Sequence, residues 1–490
     1  MRYLTIITIC GALTSGAHAL QVTHGTASGD VRSDSAVIWA RCSEPARVVA
    51  RVGPALGAAE PRQFESDARA EDDLTARVYA DGLTPGTPYR YEVHCAADHR
   101  TSRVWSGRFS TAPAARDAAS VAVVWSGDLA GQRYCRRPGI GYGIFRPMTH
   151  FNADFFVANG DMIYADNDCP AQGIESGWSN VPGNFTGIGH PSVDWEDSTG
   201  VAEVFNAHWR YNRADPHFQT FLASTSMYVQ WDDHEVINDF GAPWQAYPPQ
   251  AERRGYANVV AAGRKSLFDY HPIRRNAGEP GRIYRSFRWG AHAELFLLDA
   301  RSYRSENTSA DGDDKTMLGA MQLKWLIDGL SASTATWKIV SNDVPLSVPT
   351  GSRADEFGRD AFADGGLDTG FETELLTLVR TLDANNVRNV VFIATDVHSA
   401  AQIRYDRDYD GDGDRLLFHE LIAGPLSAIR GPAPVTLDST LGPVMIYAEG
   451  GLFNYGTLTI DAATGGRLTA DIRGETGSRR PGSALVLQPD

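Results

Sequence analysis

Trp231-Asp232-Asp233-His234-Glu235-Val236-Ile237-Asn238-Asp239 places six side chains able to ligate a cation or move a proton in nine positions. The run Met227-Tyr228-Val229-Gln230 before it reads as the end of a buried strand. Burying four ionisable groups in a row is costly. A nearby cation reverses that cost, because hard cations take carboxylates and borderline ones take imidazole. Taken alone, the stretch reads equally well as a solvated turn.

Four further junctions have the same form. Ser126-Gly127-Asp128 follows Val121-Ala122-Val123-Val124, and Asn159-Gly160-Asp161-Met162-Ile163-Tyr164-Ala165-Asp166 follows Phe155-Phe156-Val157-Ala158. Leu298-Asp299-Ala300-Arg301 follows Leu295-Phe296-Leu297, and Asp396-Val397-His398 follows Val390-Val391-Phe392-Ile393. In each, an apolar strand ends and an acid, histidine or arginine appears at once. Open α/β sheets build their sites at the carboxyl ends of strands, so the five junctions predict one site fed by many strands.

Residues 1–19 have the pattern of a secretory signal: Arg2, a short apolar run from Leu4 to Leu13, and Ala17-His18-Ala19 as a small-x-small cleavage site. The run is too short to span a bilayer, and no other stretch reads as transmembrane. The expected location is therefore periplasmic or secreted. A formal net charge of −15 and no basic cluster argue against a nucleic-acid partner. Of the five cysteines, Cys10 lies in the signal-like segment. In an oxidising compartment Cys42–Cys95 and Cys135–Cys169 are the expected pairs, one of three pairings that four cysteines allow. Thiolate ligation is the rival reading, against which the spacing is not zinc-like.

Residues 20–113 read as all-β. Ser35-Ala36-Val37-Ile38-Trp39 and Tyr89-Arg90-Tyr91-Glu92-Val93 are β-rich, and the turn Gly82-Leu83-Thr84-Pro85-Gly86 feeds the second of these. That corner resembles the one in fibronectin type III-like sandwiches. His24 and Asp30 read as loop residues. From residue 114 to 490 strands and helices alternate, with helices expected over Phe371–Val379 and Met317–Leu330, the latter carrying Leu318, Met321, Trp325 and Leu326 on its apolar face. A long irregular insert is expected between Asp168 and Asn212, and a closing hairpin over Gly456–Arg473. Asp408-Tyr409-Asp410-Gly411-Asp412-Gly413-Asp414 mimics the start of an EF-hand loop, but its twelfth position is His419 rather than the bidentate Glu. It reads as an acidic hairpin turn, with a structural Ca²⁺ as the alternative.

Asp128, Gly160-Asp161, Asp233-His234 and Asp396-x-His398 follow the order of the metallophosphoesterase signature. More specifically, the chain resembles PhoD-type alkaline phosphatases/phosphodiesterases. The matching stretches are Asn159-Gly160-Asp161-x-x-Tyr164, Trp231-Asp232-Asp233-His234-Glu235-Val236, Leu298-Asp299-Ala300-Arg301-x-Tyr303-Arg304, Thr395-Asp396-Val397-His398, and the entry Gly25-Thr26-Ala27-Ser28-Gly29-Asp30. The resemblance covers nearly the whole chain after residue 19. It implies a fibronectin III-like N-terminal β-sandwich followed by a metallophosphoesterase α/β sandwich. Some members carry a cysteine ligand in Ser-Cys-Gln where this chain has Ser126-Gly127-Asp128, and many carry a twin-arginine signal that is absent here.

The resemblance implies two or more metal ions, Fe³⁺ and Ca²⁺ first, with Mn²⁺ or Zn²⁺ as alternatives at the second site. Asp161 is expected to bridge. Asp128, His398 and the Tyr164 phenolate would complete one site, and Asp233, Asn238 and Asp396 the other. Such a pair lowers the pKa of a bound water and clamps phosphate oxygens. Arg301 is expected to neutralise the non-bridging oxygens and His234 to protonate the leaving alkoxide, with ligation as the alternative for His234. The expected activity is exported phosphoester hydrolysis on a small-molecule or lipid substrate by a monomer. The competing class is a secreted non-catalytic binding protein of the same fold.

Overall fold

The computed structural model describes residues 19–241, 254–351 and 354–490. All of the signal-like segment except Ala19 therefore lies outside the described residues. Two sheets face each other. The first has nine strands in the order Leu485–Leu487, Arg467–Gly474, Asn454–Asp461, Val121–Ser126, Phe155–Ala158, Ser226–Val229, Val22–Gly29, Ser35–Cys42 and Thr75–Asp81. The second has seven: Arg285–Trp289, Ala293–Leu297, Trp337–Ser341, Val390–Ala394, Leu416–Ile422, Ala400–Arg407 and Val444–Glu449. The central strands of both pair in parallel.

The central strands are apolar on both faces because each sheet is covered twice. Val121, Val123, Trp125, Phe155 and Val157 point between the sheets, where they meet Leu295, Ile339, Val391 and Ile393. Their sequence neighbours Val124, Phe156 and Ala158 point outward onto the helices Phe145–Phe151, Ser198–Arg213, Pro216–Ser224 and Tyr256–Tyr270. On the far side Val340, Val390 and Phe392 pack on the helices Gly319–Ala332 and Glu372–Ala384. The result is a helix–sheet–sheet–helix sandwich. Both helices expected in this half are present. Met321 is 78 % exposed, however, and Gln322 takes the buried position, bonding the backbone of Asp299. The insert is irregular only as far as Asp197, whose side chain caps the helix Ser198–Arg213.

The N-terminal segment is β-rich, but one sheet runs across residue 113. Val22–Gly29 pairs in parallel with Ser226–Val229 at Gly29↔Met227 and carries Ser35–Cys42 and Thr75–Asp81 with it. The remaining N-terminal strands, Arg62–Ala68, Ala46–Pro54, Pro88–Ala97, Arg100–Thr101 and Trp105–Ser110, form a separate five-stranded sheet. At its corner the Tyr89 hydroxyl accepts a hydrogen bond from the Thr84 amide at 2.9 Å. Asp30 does lie in the bend that follows Val22–Gly29, whereas His24, expected in a loop, lies within that strand. Asp30 is 2 % exposed and ion-paired with Arg285 of the second sheet at 2.8 Å.

Cys42–Cys95 and Cys135–Cys169 both form. The C-terminal hairpin forms as Asn454–Asp461 on Arg467–Gly474 and also pairs with Val121–Ser126, so it extends the first sheet rather than merely ending the chain. Asp408–Asp414 is the turn between two antiparallel strands, and Asp408 and Asp410 accept from the turn amides of Gly411, Gly413 and Asp412.

Gly29 sits where the N-terminal strands join the central sheet. A Cβ there would lie 2.4 Å from the Met227 carbonyl oxygen and 2.6 Å from Pro272. Gly29→Ala should cost about 1–3 kcal/mol as an overpacked contact, read as a lower denaturation midpoint. Gly189→Ala, with nothing within 4 Å of its new Cβ, should leave the midpoint unchanged.

Candidate metal centre

The predicted junctions converge. The parallel strands Val121–Ser126, Phe155–Ala158, Ser226–Val229, Ala293–Leu297 and Val390–Ala394 end at the same edge of the sandwich, and the chain then turns to bring side chains back over that edge. Asp128, Asp161, Asp396 and His398 have φ of 60°, 53°, 72° and 54°. Non-glycine residues rarely enter this left-handed region, although Asp and His tolerate it better than most. Each such residue costs of order 1–3 kcal/mol and persists only where its surroundings over-determine it. Gly160, at φ 115°, allows a close approach: a Cβ there would sit 2.5 Å from the Asp232 Cβ. Glu235, itself unexposed, ties the two turns together by accepting from the amides of Asp161, Met162 and Asp232 at 2.7–2.8 Å. Burial pushes its carboxyl up to about 8.

Four ligand groups result at this edge, each with its donor atoms within 4.8 Å of one another: Asp128, Asp161 and His398; Asp161, Asp233 and His234; Asp232, Asp233 and Asp396; Asp233, Asp239 and Asp360. Asp161 belongs to the first two groups and Asp233 to the last three. This is the arrangement in which one carboxylate can touch two cations. Both carboxylate oxygens of Asp128 and one of Asp396 are buried with no hydrogen-bond partner. Buried polar atoms in native proteins are ordinarily paired. Burial, reinforced by the charges of Asp232 and Asp233, pushes the Asp128 and Asp161 carboxyls well above the usual carboxylate range. A divalent or trivalent cation removes both problems, giving the bare oxygens a partner and the charges a counterion. The donor set therefore fits more than one metal ion.

The imidazoles and the phenol are set by their neighbours. His398 Nδ1 lies 2.7 Å from the Ile429 carbonyl, to which it must donate, leaving the Nε2 lone pair facing Asp128 at 3.6 Å. The buried Tyr164 hydroxyl lies 2.8 Å from the same Nε2. Burial and then the charge of Asp161 push the Tyr164 phenol up. His234 Nδ1 lies 2.7 Å from Asp166, whose other oxygen accepts from the Asn238 amide at 3.1 Å. Burial alone would lower His234, but the Asp166 carboxylate overrides it and raises the imidazole to about 10. Asp166 lies inside the quoted Asn159–Asp166 stretch but received no role from sequence.

Arg301 is placed behind the metal ligands rather than over them. It is unexposed, its Nε donates to Asp232 at 2.6 Å, and its two Nη atoms hold Asp360 at 2.7 and 2.8 Å. Asp343 lies 3.5 Å away. Arg304 adds a second contact to Asp360 at 2.6 Å. Burial would raise Asp360, but these two guanidinium groups hold its carboxyl below the usual range. Sequence reasoning missed Asp343 and Asp360. Asp343 had a usable signal, since Ser341-Asn342-Asp343 follows an apolar strand like the others. Asp360 lies in a loop with no local signal.

Because Arg301 neutralises buried carboxylates, Arg301→Ala should destabilise the fold by about 3–5 kcal/mol, visible as a lowered denaturation midpoint. A side chain serving substrate alone would leave that midpoint where it is.

The ligands open into a cleft of about 670 Å³, lined by Asp161, Asp233, His234, Asn238, Asp396 and His398 on the metal side and by Val348–Gly351, Ile429 and Gly431–Thr436 on the walls. Asp128 and Tyr164 are buried and do not line it. Comparison with known proteins identifies the family and the fold. Residues 123–451 match the PhoD-like phosphatase model, and residues 10–113 match the model of the PhoD-like phosphatase N-terminal domain. Alkaline phosphatase D of Bacillus subtilis (strain 168) is 24 % identical over 442 residues, which are 83 % of this chain and 69 % of that protein. A solved structure of PhoD superposes with a TM-score of 0.75 at 19 % identity, covering 96 % of this chain and 91 % of that one. The purple acid phosphatase PPD1 from yellow lupin (Lupinus luteus) seeds shares the fold at a TM-score of 0.60 and 12 % identity, covering 96 % and 75 %. A metal-dependent phosphoester hydrolase is the enzyme that these matches and the clustered acidic ligands describe, and the chain belongs to the PhoD-like phosphatase family.

Proposed function

We propose that the chain hydrolyses phosphomonoesters or phosphodiesters, lipid head groups included, outside the cytoplasm, with Asp161 bridging two cations. One observation carries the ligand assignment: the orphaned oxygens of Asp128 and Asp396 flank the shared pair Asp161 and Asp233. In this reading Asp128, His398 and Tyr164 hold the first cation, and Asp233, Asn238 and Asp396 the second. A phenolate beside carboxylate and imidazole suits Fe³⁺, and the oxygen-only second set suits Ca²⁺, with Mn²⁺ or Zn²⁺ as alternatives. The bound ions supply Lewis acidity toward the phosphoryl group and a nucleophile at neutral pH.

The chain's own residues do the rest. His234 is oriented by Asp166 through Nδ1, so Nε2 is the nitrogen that gives a proton to the leaving oxygen as the P–O bond breaks. Arg301 is a positioning residue that fixes Asp232 beside Asp233. The buried strand ends keep the ligands from relaxing toward water. Export is supported by two disulfides and the signal-like residues 1–19, and among the described residues no helix is long and apolar enough to cross a membrane. We read the N-terminal strands as a fibronectin III-like unit on the strength of the Tyr89–Thr84 corner, with domains at 20–113 and 114–490, and the working form as a monomer.

The test joins metal analysis to an assay. The purified chain should carry more than one metal ion and turn over p-nitrophenyl phosphate or bis-p-nitrophenyl phosphate. Asp161→Ala and His398→Ala should lower both metal content and turnover, the latter by about a hundredfold or more. A folded, metal-free chain that is inert on both esters would overturn the reading.

A further inference from the structure

Arg301 is committed to buried carboxylates, so a cationic side chain for a phosphate in the cleft has to come from elsewhere in its lining. Among the described residues lining the cleft, Arg359 is the sole lysine or arginine. It is half-buried, and among the described residues no carboxylate pairs with it. Its backbone is held from both sides: its amide donates to Thr369 Oγ1 at 3.1 Å, and the next residue is Asp360, clamped by Arg301 and Arg304. Its Nε donates to the Asp364 carbonyl, which fixes the inner edge of the guanidinium. Nη2 rests against Gly365, where an added Cβ would lie 3.2 Å away. Gly365 has φ 63° and lines the same cleft. Adjacent Asp360 brings its carboxylate within 4.8 Å of those of Asp233 and Asp239, so this wall reaches the metal side of the cleft.

We infer that Arg359 binds the non-bridging oxygens of the substrate phosphate, taking the part that sequence reasoning gave to Arg301. The inference rests on the proposed phosphoester reading. A planar guanidinium fixed through Nε keeps its outer N–H groups for an oxyanion, and a half-buried site strengthens the contact relative to open water. Its charge also discriminates. A monoester is close to a dianion above neutral pH, whereas a diester carries one negative charge, so removing Arg359 should harm the monoester more. A residue that only supported the loop would affect both esters alike.

The experiment uses the metal-loaded full chain with Arg359→Ala and Arg359→Lys. Inorganic phosphate is titrated by calorimetry, kcat/KM is measured on p-nitrophenyl phosphate and bis-p-nitrophenyl phosphate, and metal content is counted. Arg359→Ala should weaken phosphate binding by about ten- to a hundredfold, lower kcat/KM on the monoester more than on the diester, and leave metal content unchanged. Arg359→Lys should restore part of the loss. Unchanged phosphate affinity in Arg359→Ala, or an equal loss on both esters without weaker phosphate binding, would overturn the inference. A wild-type chain without metal or turnover would instead overturn the parent reading, so the two failures are distinguishable.

Discussion

Uncompensated negative charge is the constraint on which this molecule depends. Asp128, Asp161, Asp232, Asp233, Asp343 and Asp360 are all no more than 4 % exposed, and they lie within one edge of a sandwich otherwise filled by apolar side chains. Arg301 and Arg304 answer for Asp232 and Asp360. Among the described residues no lysine or arginine pairs with Asp128, whose two oxygens have no hydrogen-bond partner there. A protein interior tolerates a charge only when it is paired or bound to a metal. The arrangement therefore divides the edge into a layer neutralised from within and a layer that requires cations from outside.

The backbone geometry follows from that division. Parallel strands covered on both faces must be apolar along their length, so polar side chains can begin only where the strands stop. There the chain has one or two residues in which to reverse and aim a carboxylate. The positive φ values at Asp128, Asp161, Asp396 and His398 are the consequence. Gly160 serves the same need in another way, since its missing Cβ lets one turn lie against the next. Glu235 joins those turns through three amides, so a residue that looks like a ligand in sequence is part of the frame.

The disulfides and the continuous first sheet extend this frame outward. Cys135–Cys169 spans the two loops that follow the first two junctions. Val22–Gly29 adds its strand beside Ser226–Val229, which leads directly into Trp231–Asp239. The N-terminal strands thus buttress the segment that carries the densest set of ligands, and the Asp30–Arg285 pair links them to the second sheet.

Much of this was legible without a structure. The alternation of strand and helix, the β-rich N-terminal region, the hairpin at the end and the five polar junctions all come from local periodicity and punctuation, because a doubly covered strand must be apolar and must end before its chemistry begins. The family motif was legible for the same reason: Asp161, Asp233, Asp396 and His398 sit at fixed offsets from strand ends. What only the tertiary structure decided is which charge meets which. Arg301 belongs to a motif, and sequence could not distinguish a guanidinium facing substrate from one facing Asp232 and Asp360, the second of which is 59 residues away. Met321 and Gln322 are neighbours on one helix, and the rotation that buries the glutamine is set by the backbone of Asp299 across the packing interface. Local pattern determines where a side chain can be polar; the partner that settles its role comes from a distant part of the chain, because Coulomb and hydrogen-bond energies depend on distance in space and not along the sequence.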